Sequence, residues 1–173
     1  LPINLVFSMV RIRTISTPEL FKVETIARAT WPSTFAGILS SQQIEYMLNW
    51  MYDVALLANQ LESGYTFLLA EEEGQALGFA VYQSNAMEAK TKLHKLYVLP
   101  IHHGKGIGKA LLQEVVQRAR IGVQEAVVLN VNKFNRKAID FYLSMDFTIA
   151  QEEVIDIGNG YFMDDYVMTK KFS

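Results

Sequence analysis

The sequence predicts an α/β (α+β) fold class: one mixed sheet with flanking helices. Three observations predict it. The length of 173 residues is close to the ~150 expected of one domain. Half of the residues are hydrophobic and 12% are aromatic, which supplies a buried core and excludes a disordered chain. The apolar period also changes along the chain, from alternating to helical, back to alternating, and then to strand–helix units.

Val10, Ile12 and Thr14 alternate with Arg11 and Arg13, which reads as a first strand. Residues 1–8 lack the basic start and small-residue cleavage pattern of a signal peptide. They are read as an N-terminal extension to a single domain spanning 9–173. Ser16-Thr17-Pro18-Glu19 has capping-box spacing with proline near the first helical position. A helix is therefore expected over 18–30, burying Leu20, Val23, Ile26 and Ala27, with Pro32 ending it. Ser40-Ser41-Gln42-Gln43 is a second cap signal, followed by Ile44, Met47, Leu48 and Met51 at helical spacing. This helix is expected to break near Asp53 before a further helical piece to Leu61.

Residues 65–71 and 75–82 read as strands of a hairpin closed by glutamates and Gly74. In the strand 92–98, Lys92, His94, Leu96 and Val98 alternate with Leu93, Lys95 and Tyr97, and Pro100 closes it. From Gly106 an amphipathic helix places Leu111, Leu112, Val115, Val116 and Ala119 on one side, with Gly122 as its C-terminal cap. A buried strand at 126–131 and a helix at 135–145 follow. Two last strands, 148–156 and 161–171, flank the turn Gly158-Asn159-Gly160, bringing the strand count to six or seven.

Composition excludes several functions. The longest apolar runs, such as 54–58, are about a quarter of the ~20 residues that span a membrane, so no membrane partner is expected. A net charge of -2, from 16 basic and 18 acidic residues, does not indicate general nucleic-acid binding. The absence of cysteine removes disulfides, thiol nucleophiles and thiolate metal sites, and fits a cytoplasmic location. No metal is expected, since the adjacent His102 and His103 have no carboxylate near them in sequence. Charge is uneven, however. Residues 89–113 carry five lysines and no acid, so the whole-chain -2 less this +5 leaves -7 elsewhere. Either a solvated lysine face or a site for a small anionic ligand accounts for this.

The segment His103-Gly104-Lys105-Gly106-Ile107-Gly108-Lys109 favours the second account. Glycines at alternate positions before a helix let the backbone approach a ligand and leave N–H groups at the positive end of the helix dipole. Lys105 and Lys109 add countercharge for a phosphate. A nucleotide P-loop is excluded because His103 and Ala110 stand at its first glycine and its hydroxyl position. A Rossmann fingerprint is excluded because its third glycine would fall on Lys109.

The stretch from Leu93-His94-Lys95-Leu96-Tyr97-Val98 through Gly104-Lys105-Gly106-Ile107-Gly108-Lys109-Ala110-Leu111-Leu112 resembles the acetyl-coenzyme A motif of the GNAT acyltransferase superfamily. Asn135-x-x-Ala138-x-x-Phe141-Tyr142-x-x-x-Asp146-Phe147 resembles its second block. Asp165-Tyr166-Val167-Met168 and the Trp31…Phe35…Leu39 pattern are loosely similar to the polyamine acetyltransferase branch. Two positions depart from the family: His103 stands where Gln or Arg is usual, and Asp146 where Gly is usual.

The resemblance implies a mostly antiparallel sheet with a central parallel pair that splays apart, acetyl-CoA as cosubstrate, an amine acceptor and a homodimer. It implies that Leu96, Tyr97 and Val98 pair with the pantetheine amides, that His103 to Lys109 hold the pyrophosphate, and that Asn135 contacts the pantetheine arm. Asn135 also reads as a plain helix N-cap. Tyr142 corresponds to the family's general acid, or else is a half-buried tyrosine beside Phe141. His94 corresponds to a proton-relay histidine of the arylalkylamine acetyltransferases, or else is a packing histidine. Trp31, Phe35, Tyr46, Trp50 and Tyr161 either line an amine cleft or belong to the core, while Asp164 and Asp165 suit a cationic amine or a solvated loop. The expected activity is direct N-acetylation of a small amine, polyamine or peptide amine. A non-catalytic acetyl-CoA sensor on the same fold is the alternative.

Overall fold

A computed structural model describes residues 9–173, and the expected extension at 1–8 lies outside the described residues. In chain order the elements are β1 (Arg11–Thr14), α1 (Leu20–Thr34), α2 (Ser41–Tyr52), α3 (Val54–Glu62), β2 (Thr66–Glu72), β3 (Gln75–Met87), β4 (Lys90–Val98), α4 (Ile107–Ile121), β5 (Ala126–Asn132), α5 (Arg136–Ser144), β6 (Thr148–Gly158) and β7 (Tyr161–Lys171). The seven strands form one sheet in the order β1-β2-β3-β4-β5-β7-β6. Every neighbouring pair is antiparallel except β4–β5. No helix among the described residues is long and apolar enough to cross a membrane.

The helices cover both faces of this sheet. Leu111, Leu112, Val115 and Ala119 of α4 pack with Ile139 and Tyr142 of α5 against Leu68, Ala80, Val127 and Leu129. On the other face Leu20, Val23, Trp31, Met47 and Leu57 cover Phe67, Leu69, Phe79 and Val81. Each fully buried Leu or Phe of this kind contributes about 1.5–3 kcal/mol.

The start and end of α1 differ from expectation. Ser16 makes no side-chain cap, and a 3-10 turn over Thr17–Glu19 precedes α1. Glu19 is instead bound by Arg13 at 2.6 Å and Lys22 at 2.9 Å, so ionic pairing takes the carboxylate that a capping box would use. Pro32 does not end α1, which runs on to Thr34. The lack of an N–H at Pro32 removes one helical bond, but Trp31 and Phe35, at 2% and 6% exposure, anchor the last turn in the core. The break at Asp53 occurs as expected, because its side chain accepts from Ala55 N–H and Leu56 N–H and so caps α3. Gly122 ends α4, although the left-handed residue is Val123 (φ 55°).

Strands β3 and β4 are longer than predicted. The Gln124 side chain, distant in sequence, donates to Asn85 Oδ1 at 2.9 Å and accepts from Asn85 N–H at 3.0 Å, holding the end of this hairpin. Within β4 the strict alternation expected of 92–98 also fails. Val81 pairs with Lys95 but Tyr82 with Leu93, so His94 is an extra residue in a β-bulge. The bulge flips the faces: Leu93, Leu96 and Val98 pack on the α4–α5 side, while Tyr97 packs on the α1–α3 side. It also ends the parallel ladder. β4 and β5 pair only from Lys90 to Leu93 against Ala126 to Leu129, and beyond that the strands part.

Candidate active site

The gap between β4 and β5 opens a groove of about 590 Å³ on the α4–α5 side. Leu96, Tyr97 and Val98 form one wall, and Asn135, Ala138 and Tyr142 face them. The mouth is the glycine loop, with His103, Gly104, Gly106, Ile107, Gly108 and Lys109 all lining it. Of the residues expected at this site only Lys105 stays out, its Nζ lying 3.2 Å from His102 Nδ1.

Gly104 and Gly106 both have φ 78°, a left-handed backbone that carbon-branched residues resist. A Cβ at either would meet no protein atom within 4 Å, so the backbone conformation, not space, demands glycine. Gly106 is the N-cap of α4 and offers no side-chain acceptor, which leaves the first N–H groups of α4 free for an anion. This donor set fits the phosphates of a coenzyme. A further glycine escaped the sequence reading. A Cβ on Gly78 of β3 would lie 2.8 Å from Tyr97 O, so only glycine lets β3 support the splayed end of β4. Its signal was a lone glycine inside a strand pattern.

His103 acts through its ring. Nε2 lies 2.7 Å from Val98 O, a pure acceptor, so Nε2 carries the proton and Nδ1 accepts from Lys137 Nζ at 3.3 Å. Lys137, which the sequence reading also missed, thus stands in the groove mouth as a second cation beside Lys109. Its only sequence signal was a lysine in the first turn after Asn135. Asn135 Oδ1 accepts from Ala138 N–H at 3.2 Å while the residue lines the groove, so the cap leaves it in the groove wall. Asp146 takes the left-handed conformation (φ 66°), and Lys170 Nζ lies 3.6 Å from its carboxylate.

On the opposite face of the sheet the same gap opens into a second cavity of about 130 Å³. Trp31 of α1, Met47 and Met51 of α2, and Phe35 and Leu39 between those helices form one wall, and His94, Asn130 and Asp165 line the sheet side. Tyr142 lines both cavities, as do Leu96, Tyr97, Asn135 and Ala138. The tyrosine is 8% exposed and packs on Phe141 and Phe147 with ring centroids at 5.2 and 5.7 Å. Burial raises its pKa, so the phenol is protonated throughout the physiological range. A proton donor therefore stands where two ligands entering from opposite faces would meet.

Three of the aromatics proposed for a cleft do not line it. Tyr46 and Tyr161 pack on each other at 5.3 Å, Tyr46 donates to Ile157 O at 2.7 Å, and Trp50 is 47% exposed on α2. The first two instead tie the β6–β7 hairpin, whose turn has positive φ at Gly158, Asn159 and Gly160, to α2.

His94 lines the second cavity, stacks on Tyr65 at 4.6 Å and has Nε2 3.3 Å from Gln83 Oε1. Burial, aided by Lys92 and Lys95, lowers its pKa to about 4, so the imidazole is neutral near pH 7. The unfolded chain takes up this proton first, near pH ~6.5. Stability is therefore expected to fall by about 2 kcal/mol as pH drops from ~6.5 towards 4. Denaturant titrations of wild type and His94→Gln should diverge across that window; parallel curves would remove His94 as the cause.

The model of the Acetyltransferase (GNAT) family matches residues 23–147. The spermidine N(1)-acetyltransferase of Thermoplasma acidophilum is 27% identical over 169 residues, covering 94% of this chain and 98% of its own. The L-methionine sulfoximine/L-methionine sulfone acetyltransferase of Salmonella typhimurium is 31% identical over 105 residues, covering 58% of this chain and 61% of its own, under two thirds of that relative. Among solved structures, the PaiA N-acetyltransferase of T. acidophilum in complex with coenzyme A has a TM-score of 0.78 at 27% identity, over 95% of this chain and 99% of that one. The ribosomal-protein-S18-alanine N-acetyltransferase of Escherichia coli, at 19% identity and TM-score 0.73, covering 95% of each chain, shares the fold.

Proposed function

This chain belongs to the GNAT acetyltransferase family and is an N-acetyltransferase with acetyl-CoA as cosubstrate, and from that premise we propose that it moves the acetyl group directly to a primary amine while both substrates are bound. The observation that carries this reading is Tyr142 at the junction of two cavities that meet through the β4–β5 gap. Acetyl-CoA enters from the α4–α5 side. Its pantetheine amides pair with the backbone of Leu96, Tyr97 and Val98 along the edge that parts from β5, as an added strand would, with Val98 O already taken by His103. Its pyrophosphate sits on the N–H groups of the glycine loop, with Lys109 and Lys137 as countercharges and Asn135 beside the pantetheine arm.

The amine approaches from the second cavity and attacks the thioester carbonyl, which a backbone N–H near Val98 polarises. Tyr142 gives its proton to the departing thiolate. His94, neutral and half-buried at the edge of the gap, is one candidate to take the proton of the incoming amine. Without cysteine no acyl-cysteine intermediate forms, which supports attack within a ternary complex. A sensor would have its acceptor cleft filled by side chains, whereas this cleft is open.

Thiol release from acetyl-CoA with a panel of small amines, polyamines and peptide amines tests the proposal. Turnover with at least one amine, with intersecting initial-rate lines when both substrates are varied, is expected. Coenzyme binding without any turnover would turn the reading to a sensor, and parallel lines would rule out direct transfer.

A further inference from the structure

Asp165 is the feature of the second cavity that remains unexplained. It is 4% exposed, on β7, and it lines the cavity. Among the described residues no lysine or arginine pairs with it. Its acidic neighbour Asp164 is paired with Lys133 at 2.9 Å, and Lys133 also holds Glu152 at 2.7 Å. The one hydrogen-bond partner of Asp165 is Asn130, whose Nδ2 lies 3.3 Å from Oδ2 and 2.8 Å from Glu153 Oε2. Lys95 lines the same cavity, but its Nζ is turned to Gln60 Oε1 at 2.9 Å rather than to Asp165. Burial, with Glu153 and Asp164 adding repulsion, raises the pKa of Asp165, with Lys92 only a weak counterweight. A buried carboxylate without a cation is costly unless a ligand supplies one.

The rest of the cavity differs in character. Trp31, Phe35, Met47, Met51 and Phe162 make one wall apolar, Gln43, Lys95 and the asparagines of β5 and the α5 cap belong to its polar groups, and among the described residues Asp165 is the sole acidic one that lines it. The long axis of an acceptor thus has a place for one ammonium and none for a second.

We infer that Asp165 anchors the acceptor's ammonium and accepts its proton, and that the acceptor is a primary monoamine with an apolar body rather than a polyamine. The inference rests on the N-acetyltransferase reading and narrows its substrate class. The proton accounting closes. The alkylammonium gives one proton to the Asp165 carboxylate, which releases it to solvent by way of the cavity. The neutral amine forms the C–N bond to the acetyl carbon as the C–S bond breaks. Tyr142 protonates the thiolate and is restored by the second proton lost from nitrogen. The products are the N-alkylacetamide, free coenzyme A thiol and one proton.

Steady-state rates with n-hexylamine, spermidine and hydroxylamine test this in the full chain and in Asp165→Asn and Asp165→Glu. Wild type is expected to favour hexylamine over spermidine at least about tenfold in kcat/KM, since a second charge gains no partner on the apolar wall. Asp165→Asn should lower kcat/KM for hexylamine by about 100-fold. It should spare hydroxylamine, which is neutral at neutral pH and needs no anchor, and Asp165→Glu should recover part of the loss. A hexylamine rate unaffected by Asp165→Asn, or an equal loss with both nucleophiles, would overturn the anchor. A spermidine preference would overturn the apolar-body assignment. If wild type acetylates no amine, the activity itself is wrong. Calorimetry of hexylammonium on the coenzyme A-bound protein then decides the anchor: weaker binding by Asp165→Asn supports it, and equal binding overturns it.

Discussion

Replacing Tyr142 with phenylalanine is expected to lower kcat by about 10²–10⁴-fold while leaving acetyl-CoA affinity nearly intact. Tyr142 lines both cavities, so its phenol is placed to give a proton to a thiolate that forms between them. The ring itself is structural: it packs on Phe141 and Phe147 in the α4–α5 core, and phenylalanine keeps those contacts. Melting temperature and calorimetric Kd should therefore match wild type while thiol release slows. An unchanged rate would remove Tyr142 from the acid role, and a lost Kd would make it a binding residue instead.

Gly106→Val should abolish measurable acetyl-CoA binding without unfolding the protein. The residue has φ 78° and a Cβ there would touch no protein atom within 4 Å, so the core is not challenged. The backbone is. A β-branched side chain in the left-handed region costs on the order of 1–2 kcal/mol, and escaping that strain re-aims the first N–H groups of α4. Each 1.4 kcal/mol lost is about tenfold in Kd, and several phosphate contacts depend on this one turn. Gly106→Asn, which tolerates positive φ, should bind far better than the valine variant. Lys105→Ala should be nearly neutral, because Lys105 does not line the groove and reaches only its rim, with Nζ 3.2 Å from His102 Nδ1. A normal Kd for Gly106→Val would refute the phosphate cradle.

Much of this site is readable in one dimension because its parts are contiguous. The glycine loop runs directly into the helix after it, and the Asn135-to-Phe147 block sits on one short helix and its flanks. The asymmetry of charge pointed to the same loop. What failed was non-local. Lys105 and Lys109 look alike in sequence, yet Lys109 lines the groove and Lys105 does not, its Nζ lying beside His102 at the rim. Tyr46, Trp50 and Tyr161 look like cleft aromatics, but two brace the last hairpin and one faces solvent.

By itself the sequence determined the order of elements, the family, the glycine loop ahead of α4 and the exclusion of cysteine chemistry, since each depends on local periodicity or on residues close in the chain. Tertiary structure alone decided where the two cavities meet. The bulge at His94 exists only through the register of β3 on β4, and Gly78 is indispensable only because Tyr97 O approaches it from another strand. Asp165, on the penultimate stretch of the chain, reaches the gap only when β7 lies beside β5. A buried carboxylate acquires its pKa, and its need for a cation, from neighbours far away in sequence, and those neighbours exist only in the fold.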